Sequence, residues 1–447
     1  MKIPHNSTFF LGQEQSFEQW SLKVRTLAYQ IAKSKDDTWL LFEPDSYLFS
    51  IYFFALAMAG KSIVLPQNGQ PEQLTNCMQS ADIYIGRESS SEYKSFNFSN
   101  HIDNSIIDND ILINEDTPIV FFTSGSSGLP KAINKTFGQL IVEVTELENC
   151  FGNELGDSSV MSTVSHQHIY GLLFKLLWPI WAGRDVFLKP FEYPEHLVHE
   201  ILNKKHNKVC LIGSPAYFHR LVKDNVLIEC EQHLNVIFSS GGPLDVDSAL
   251  TLQKTLNCSV IEVFGSTETG GIGWRQRDLI DNEPWNAFNR IVIKADDVTQ
   301  RLSLKSPYIN GNDWFEADDR VLLKEDNKFQ LLGRIDRVVK IEEKRCSLDE
   351  IESMLAKHEY VNEVSVIFLK YDVSTQRDCL GAVISLSPCG EEILKQESKL
   401  KVNRLLKQHL KSLFETLVIP RKFRYIEQLP YNAQGKLDKK LLEQLFD

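Results

Sequence analysis

At 447 residues the chain is too long for one compact core and calls for a large domain with a smaller one beside it. Its 43% hydrophobic and 24% charged residues are the make-up of an ordinary globular protein. A formal net charge of −12 argues against nucleic acid as a partner, because such binders carry a basic footprint.

The chain opens Met1-Lys2-Ile3-Pro4-His5-Asn6 and runs into polar residues without an apolar core segment, so no export signal is expected. The most apolar stretch, Tyr47 to Ala59, is fenced by Asp45 and Lys61. It is shorter than the ~18 residues a membrane span needs, and it reads as a buried helix stopped at Gly60. The eight cysteines are scattered, with no CxxC and no Cys/His cluster. They read as reduced thiols of a cytoplasmic protein and imply neither zinc nor disulfides.

Strand-like runs alternate with helical patterns through most of the chain, which predicts an α/β layered domain. The early strands are Thr38 to Phe42, Ser62 to Leu65 and Ile119 to Phe122. Later ones are Val209 to Ile212, Val236 to Phe238 and Val260 to Phe264. Several end at small or turn-forming residues, where open α/β sheets place their ligands. After about residue 336 the texture changes. Val364 to Leu369 and Leu380 to Ser385 read as strands. A long helix is expected between Glu391 and Leu417, with Val402, Leu405, Leu406, Leu410, Leu413 and Leu417 at helical spacing. This predicts a small α+β domain joined by a tight hinge.

Four segments carry chemistry. Thr123-Ser124-Gly125-Ser126-Ser127-Gly128-Leu129-Pro130-Lys131 follows an apolar strand. Glycines admit an anion close to the backbone, hydroxyls donate and lysine adds charge, which makes a phosphate cradle. It lacks the GK[ST] ending of a Walker loop, and a plain Ser/Gly surface loop is the alternative. In Val263-Phe264-Gly265-Ser266-Thr267-Glu268-Thr269-Gly270-Gly271 a threonine beside a carboxylate can hold a phosphate oxygen and Mg²⁺ together; a solvated turn is the alternative. Gly333-Arg334-Ile335-Asp336-Arg337-Val338-Val339-Lys340 lies where the composition changes and reads as a charged hinge or an exposed turn. Pro430-Tyr431-Asn432-Ala433-Gln434-Gly435-Lys436 can deliver a cation from a terminal loop, or be ordinary solvated surface.

Together and in this order, the four segments resemble the adenylate-forming superfamily of acyl- and aryl-CoA ligases, peptide-synthetase adenylation domains and luciferases. Three lesser segments extend the resemblance. His168-Ile169-Tyr170-Gly171 looks like the HxxG segment at the acyl pocket. Ser239-Ser240-Gly241-Gly242-Pro243 looks like the glycine-rich wall between adenine and acyl group. Trp314-Phe315-Glu316-Ala317-Asp318-Asp319 looks like the segment whose last aspartate grips the ribose.

The resemblance implies a large layered domain over residues 1–335 and a small mobile α+β domain over 336–447, turning on a hinge near Asp336. It implies ATP and Mg²⁺, a carboxylic acid substrate, and a phosphopantetheine thiol on a carrier protein or CoA as acceptor. Thr123, Ser124, Gly125, Ser126, Ser127, Gly128 and Lys131 would hold the β- and γ-phosphates, and Thr267 the α-phosphate. Glu268 would bind Mg²⁺. Gly241, Gly242 and Phe264 would line the nucleotide, Asp319 and Arg334 would hold its ribose side, and His168 would face the acid. Lys436 would bridge the carboxylate and the α-phosphate.

Two positions depart from the family pattern. Ala317-Asp318 replaces threonine and glycine before the ribose aspartate, and Glu343 stands where many CoA ligases have glycine beside the pantetheine path. Lys344, Arg345, Lys399, Lys401, Arg404, Lys407 and Lys411 make a basic patch that suits an acidic carrier protein, or a solvated helix face. His168 and Tyr170, where amino-acid-activating relatives place an aspartate, favour an acid without an amino group, and the compact chain favours an aromatic one. The short form and the Val-Lys-Ile-Glu-Glu-Lys-Arg hinge also look like ligases of aryl-polyene-type biosynthesis. Free CoA as acceptor and a catalytically inactive nucleotide-binding scaffold are the rival readings.

Overall fold

The computed structural model describes the chain except residues 4–7, 88–92, 97–109, 125–129, 190, 192, 204–207, 278–282, 342–343, 371–377, 412–413, 432–436 and 447. It divides into two compact units, Met1–Val292 with Lys305–Phe315, and Ile293–Leu304 with Glu316–Asp447. The second unit thus takes in the hairpin before Asp336 as well as the residues after it. No helix among the described residues is long and apolar enough to cross a membrane.

The first unit is α/β, as the alternating pattern predicts. One sheet runs in the order Ile83–Gly86, Thr38–Phe42, Ser62–Leu65, Pro118–Ser124, Pro130–Thr136. Its first four strands are parallel and the last closes an antiparallel hairpin. In the second sheet Ser259–Ser266, Leu234–Ser239, Val209–Gly213 and Ser159–Ser162 lie parallel in that order. Gly270–Gln276 then turns back antiparallel to Ser259–Ser266. The parallel strands are near-continuous apolar runs because helices cover both faces.

The apolar stretch expected as a buried helix is Ser46–Met58. Asp45 caps it by accepting the N–H groups of Tyr47 and Leu48, and the chain leaves at Gly60 with φ +71°. It is apolar all round, and Phe53 and Phe54 both pack on Phe137, so the helix is core rather than surface. Helix Phe137–Leu155 starts with a capping box between Thr136 and Gln139, which fixes where the strand carrying Lys131 ends.

In the second unit, Phe315–Leu323 and Lys328–Arg334 form an antiparallel hairpin that sets Asp319 opposite Arg334. Beyond it, Val361–Leu369 pairs antiparallel with Cys379–Leu386, and a third strand, Lys422–Ile426, joins the latter in parallel. The expected long helix over 391–417 is instead two, Pro388–Gln396 and Lys399–Leu410, followed by a 3-10 turn at Thr416–Val418. Glu397 leaves the helical region at φ −117°, and Ser398 caps the second helix by accepting the Lys401 N–H. The apolar stripe identified the buried face, since Val402, Leu406 and Leu410 are buried against Ile351, Leu380 and Phe423. A stripe at helical spacing does not reveal a cap inside it.

Candidate active site

The hairpin formed by Pro118–Ser124 and Pro130–Thr136 places Thr123 opposite Lys131. Thr123 Oγ1 donates to the Lys131 carbonyl at 3.4 Å, closing the neck of the Ser/Gly loop. Gly125, Ser126, Ser127 and Gly128 lie outside the described residues, and Ser124 ends the first strand. Lys131 extends from the neck, and its Nζ donates to Glu268 Oε1 at 3.2 Å.

Glu268 and Thr267 occupy the turn between strands Ser259–Ser266 and Gly270–Gln276. The turn is tied across its base. Ser266 N–H donates to Thr269 Oγ1 at 3.1 Å, and Thr269 N–H donates to Ser266 Oγ at 3.2 Å. Gly265 is required there, because a Cβ would fall 2.3 Å from the Gly270 carbonyl oxygen. Burial alone would raise the Glu268 carboxyl, but hydrogen bonds from its own backbone N–H and from Lys131 outweigh it and hold the group below the ordinary carboxylate range. An ionised, partly exposed carboxylate that already faces a cation fits Mg²⁺, which keeps several waters and takes only one or two protein carboxylates beside a nucleotide's phosphates.

The glycine-rich wall follows strand Leu234–Ser239. Gly241 takes φ +92°, and Ser240 Oγ donates to the Val263 carbonyl at 2.8 Å, binding the wall to the strand that leads to Glu268. At Gly242 a Cβ would lie 3.8 Å from Pro215, an ordinary contact. Phe264 packs tilted against Trp285 with ring centroids 5.6 Å apart, and the Arg275 guanidinium lies over the Trp285 ring at 4.3 Å.

His168 caps a short helix, its Nδ1 accepting the Tyr170 N–H at 3.3 Å. Tyr170 is buried, and its hydroxyl donates to the Phe238 carbonyl at 2.9 Å. Its hydroxyl is therefore engaged in holding strand ends together. Gly171 is sterically fixed, since a Cβ would lie 2.0 Å from the Ser165 carbonyl oxygen.

On the second unit, Arg334 Nη1 lies 3.9 Å from Asp319 Oδ1, and its Nε donates to Asp336 Oδ1 at 2.8 Å. Burial pushes the Asp319 carboxyl up to about 6, against the pull of Arg334. The unusual Ala317-Asp318 pair has a structural role: Arg301 donates to the Ala317 carbonyl at 2.8 Å and to Asp318 Oδ1 at 3.1 Å. Lys436 and Glu343 lie outside the described residues.

Sequence reasoning missed several buried charges. Lys135, on the strand of Lys131, donates to the carbonyls of Glu268 and Tyr308. Glu143 accepts the Gly271 N–H at 2.7 Å. Beneath the His168 segment, Lys175 donates to Ser46 Oγ at 2.9 Å, and Ser46 Oγ meets His166 Nδ1 at 2.8 Å. His166 is pushed down to about 3 by burial and by the Lys175 charge, so it is a neutral imidazole. A lone lysine inside Leu172-Leu173-Phe174-Lys175-Leu176-Leu177 was the available signal, since a charge in an apolar run is either buried or out of pattern.

The model of the AMP-binding enzyme family matches residues 4–292. The chain is 24% identical over 361 residues to the mitochondrial acyl-coenzyme A synthetase ACSM2 of Rattus norvegicus, covering 73% of this chain and 61% of that protein. It is 25% identical over 359 residues to the D-alanine–D-alanyl carrier protein ligase of Staphylococcus haemolyticus, covering 73% and 70% respectively. The chain thus spans less than two thirds of the rat relative's length. Among solved structures it superposes on ATP-bound MatB from Rhodopseudomonas palustris with a TM-score of 0.81 at 17% identity, covering 99% of this chain and 96% of that one. That likeness shows the fold. With the family model spanning well over half of its residues, and the Ser/Gly hairpin and the Thr267–Glu268 turn meeting through Lys131, the chain belongs to the AMP-binding enzyme family of the adenylate-forming superfamily.

Proposed function

We propose that the chain joins a carboxylic acid to AMP at the expense of ATP and then passes the acyl group to a phosphopantetheine thiol on a carrier protein. The ion pair from Lys131 to Glu268 carries this reading, because it sets a phosphate-binding cation and a metal-binding carboxylate side by side. Attack of a carboxylate on a phosphate is an encounter of anions, and it proceeds only where cations and fixed donors meet the developing charge. A carboxylate oxygen bonds to the α-phosphorus and pyrophosphate leaves. The thiol, giving up its proton, then attacks the acyl carbonyl and AMP leaves.

Lys131 and the loop hydroxyls bind the β- and γ-phosphates, and Thr267 the α-phosphate. Asp319 accepts the ribose hydroxyls beside Arg334. Lys436 bridges the acid and the α-phosphate, His168 faces the acid, and Gly241, Gly242 and Phe264 line the nucleotide. Mg²⁺ supplies charge neutralisation on the phosphates, and Glu268 anchors it. The hinge near Asp336 carries Lys436 away for the second step.

An acid without an α-amino group is the favoured substrate, since no carboxylate between Ser165 and Leu172 stands ready to hold one, and an aromatic acid is proposed within that class. The carrier protein is favoured by helix Lys399–Leu410, which buries Val402, Leu406 and Leu410 and carries Lys399, Lys401, Arg404 and Lys407 without an acidic residue. Free CoA is the second reading, favoured by the similarity to an acyl-coenzyme A synthetase.

Pyrophosphate exchange with a panel of acids tests the first step, and exchange with none of them sinks the proposal. Mass spectrometry after adding either CoA or a holo carrier protein then identifies the acceptor.

A further inference from the structure

Two lysines of one strand reach the same residue. Lys131 and Lys135 lie four apart in Pro130–Thr136, hence on one face of it. Lys131 meets the carboxylate of Glu268 at 3.2 Å, and Lys135 Nζ donates to the backbone carbonyl of the same Glu268 at 3.3 Å. Their exposures differ sharply. The Lys131 side chain is 59% exposed, whereas Lys135 is 2% exposed and also donates to the Tyr308 carbonyl at 2.8 Å.

Lys135 has an electrostatic counterpart in Glu143, on helix Phe137–Leu155. Glu143 Oε1 accepts the Gly271 N–H at 2.7 Å, and its buried Oε2 has no hydrogen-bond partner. Burial opposes the charge on both groups, and each favours the charged form of the other. Ser306 Oγ adds a hydrogen bond to the Thr269 carbonyl at 3.2 Å. The backbone from the Glu268 carbonyl onward is therefore held from outside the turn, at the Glu268 and Thr269 carbonyls and at the Gly271 amide.

We propose that Lys135 and Glu143 are positioning residues that fix the backbone under Glu268, so that its carboxylate meets a nucleotide-borne divalent cation already oriented, while Lys131 exchanges between that carboxylate and phosphate. The inference rests on the reading of Glu268 as the metal-binding carboxylate. A buried lysine engaged by two carbonyls cannot follow an incoming phosphate, whereas an exposed one can. Outer partners of this kind are worth about 10- to 100-fold in metal affinity where they have been removed. An exposed ion pair contributes far less.

The test is the affinity for Mn²⁺ in the presence of ATP, read from the free Mn²⁺ signal by electron paramagnetic resonance on the full chain. Lys135→Met keeps the apolar stem and removes the cation. The variant, checked as folded by circular dichroism, is expected to bind Mn²⁺ about 10-fold more weakly with ATP present. Its metal-free affinity for ATP is expected to match the parent. Placed on a Glu268→Gln background, Lys135→Met should cost nothing further, because the carboxylate it orients is gone. Unchanged Mn²⁺ affinity in folded Lys135→Met overturns the inference, as does a full second loss on the Glu268→Gln background. Should Lys135→Met not fold, Glu143→Gln keeps the volume and the acceptor for Gly271; a smaller loss in the same direction supports the inference and an unchanged Mn²⁺ affinity overturns it. A parent protein that binds no Mn²⁺ with ATP sinks both this inference and the proposed activity. One that binds it but adenylates no acid sinks the activity alone.

Discussion

Lys131 Nζ and Glu268 Oε1 meet at 3.2 Å across 137 residues of sequence, joining the neck of the Ser/Gly hairpin to the turn after strand Ser259–Ser266. The pair is partly exposed, with side-chain exposures of 59% and 26%. A pair this wet contributes no more than about 1 kcal/mol to stability. Its consequence is chemical, because it keeps a cation and a carboxylate facing each other where phosphate and Mg²⁺ are proposed to part them.

Lys131→Met is therefore expected to lower pyrophosphate exchange about 10²-fold, the scale of losing one charge-stabilising donor. The thermal midpoint should move by no more than about 2–4 °C, as befits an exposed pair in a chain this long. Parallel calorimetry and exchange assays check the two halves. A collapse in stability would show that the pair is structural.

Lys436→Ala should reduce adenylation by about 10²- to 10³-fold. Thioester formation from supplied acyl-adenylate should continue, since the proposed hinge motion withdraws Lys436 before the thiol arrives. Single-turnover measurements of each half-reaction separate the two steps, and equal losses in both refute the division of labour.

Asp319, lifted by burial to about 6, predicts a pH profile. As pH falls through about 6 the carboxylate takes up a proton and ceases to accept from ribose hydroxyls, so nucleotide affinity should fall. Asp319→Asn should flatten that part of the profile, and the difference between the two proteins removes the titration of the nucleotide itself. Stability carries the other sign. Between the ordinary value of 3.8 and about 6 the unfolded chain has already released a proton that the native chain keeps. Native stability therefore declines as pH rises across that window, and Asp319→Asn abolishes the decline. Calorimetric titration and thermal unfolding from pH 4 to 8 read both effects.

Lys175 is wholly buried, and burial lowers its ammonium from 10.5 to about 7. The unfolded chain holds that proton up to about pH 10.5, so the cost to the native state is complete below about 7 and fades as pH rises towards 10.5. Lys175→Met should stabilise the protein by about 1–4 kcal/mol, as replacing a buried charge with a side chain of similar volume often does. The gain should be larger at pH 6 than at pH 10, because the cost of the buried ammonium is complete at the lower pH and nearly gone at the higher. Ser46 keeps its partner His166 at 2.8 Å in either case. Unfolding curves at the two pH values check this, and an equal gain at both would show that charge is not the cause.

Some of this was legible residue by residue. Gly171 and Gly265 stand where a Cβ would meet a carbonyl oxygen at 2.0 Å and 2.3 Å, so their motifs are short, rigid and recognisable in a string of letters. The strand runs from Thr38 to Phe264 were legible because a strand buried on both faces has to be apolar throughout. The helix break at Ser398 was not, because capping residues and apolar spacing overlap there.

Lys135 shows the limit most clearly. In the sequence it is one polar residue among several on a strand that follows the Ser/Gly segment, and nothing near it says that it is buried. Its partners Glu268 and Tyr308 lie 133 and 173 residues away, and Glu143 belongs to the following helix. The sequence by itself determined which residue types line the turns and where most strands and helices run, since these follow from local sterics and periodicity, and its ordered motifs carried the resemblance to the family whose model matches residues 4–292. Only the tertiary structure decided which charges are dry, which carbonyls they hold and which carboxylate they steady, because burial and long-range hydrogen bonding are set by residues that the chain order keeps far apart.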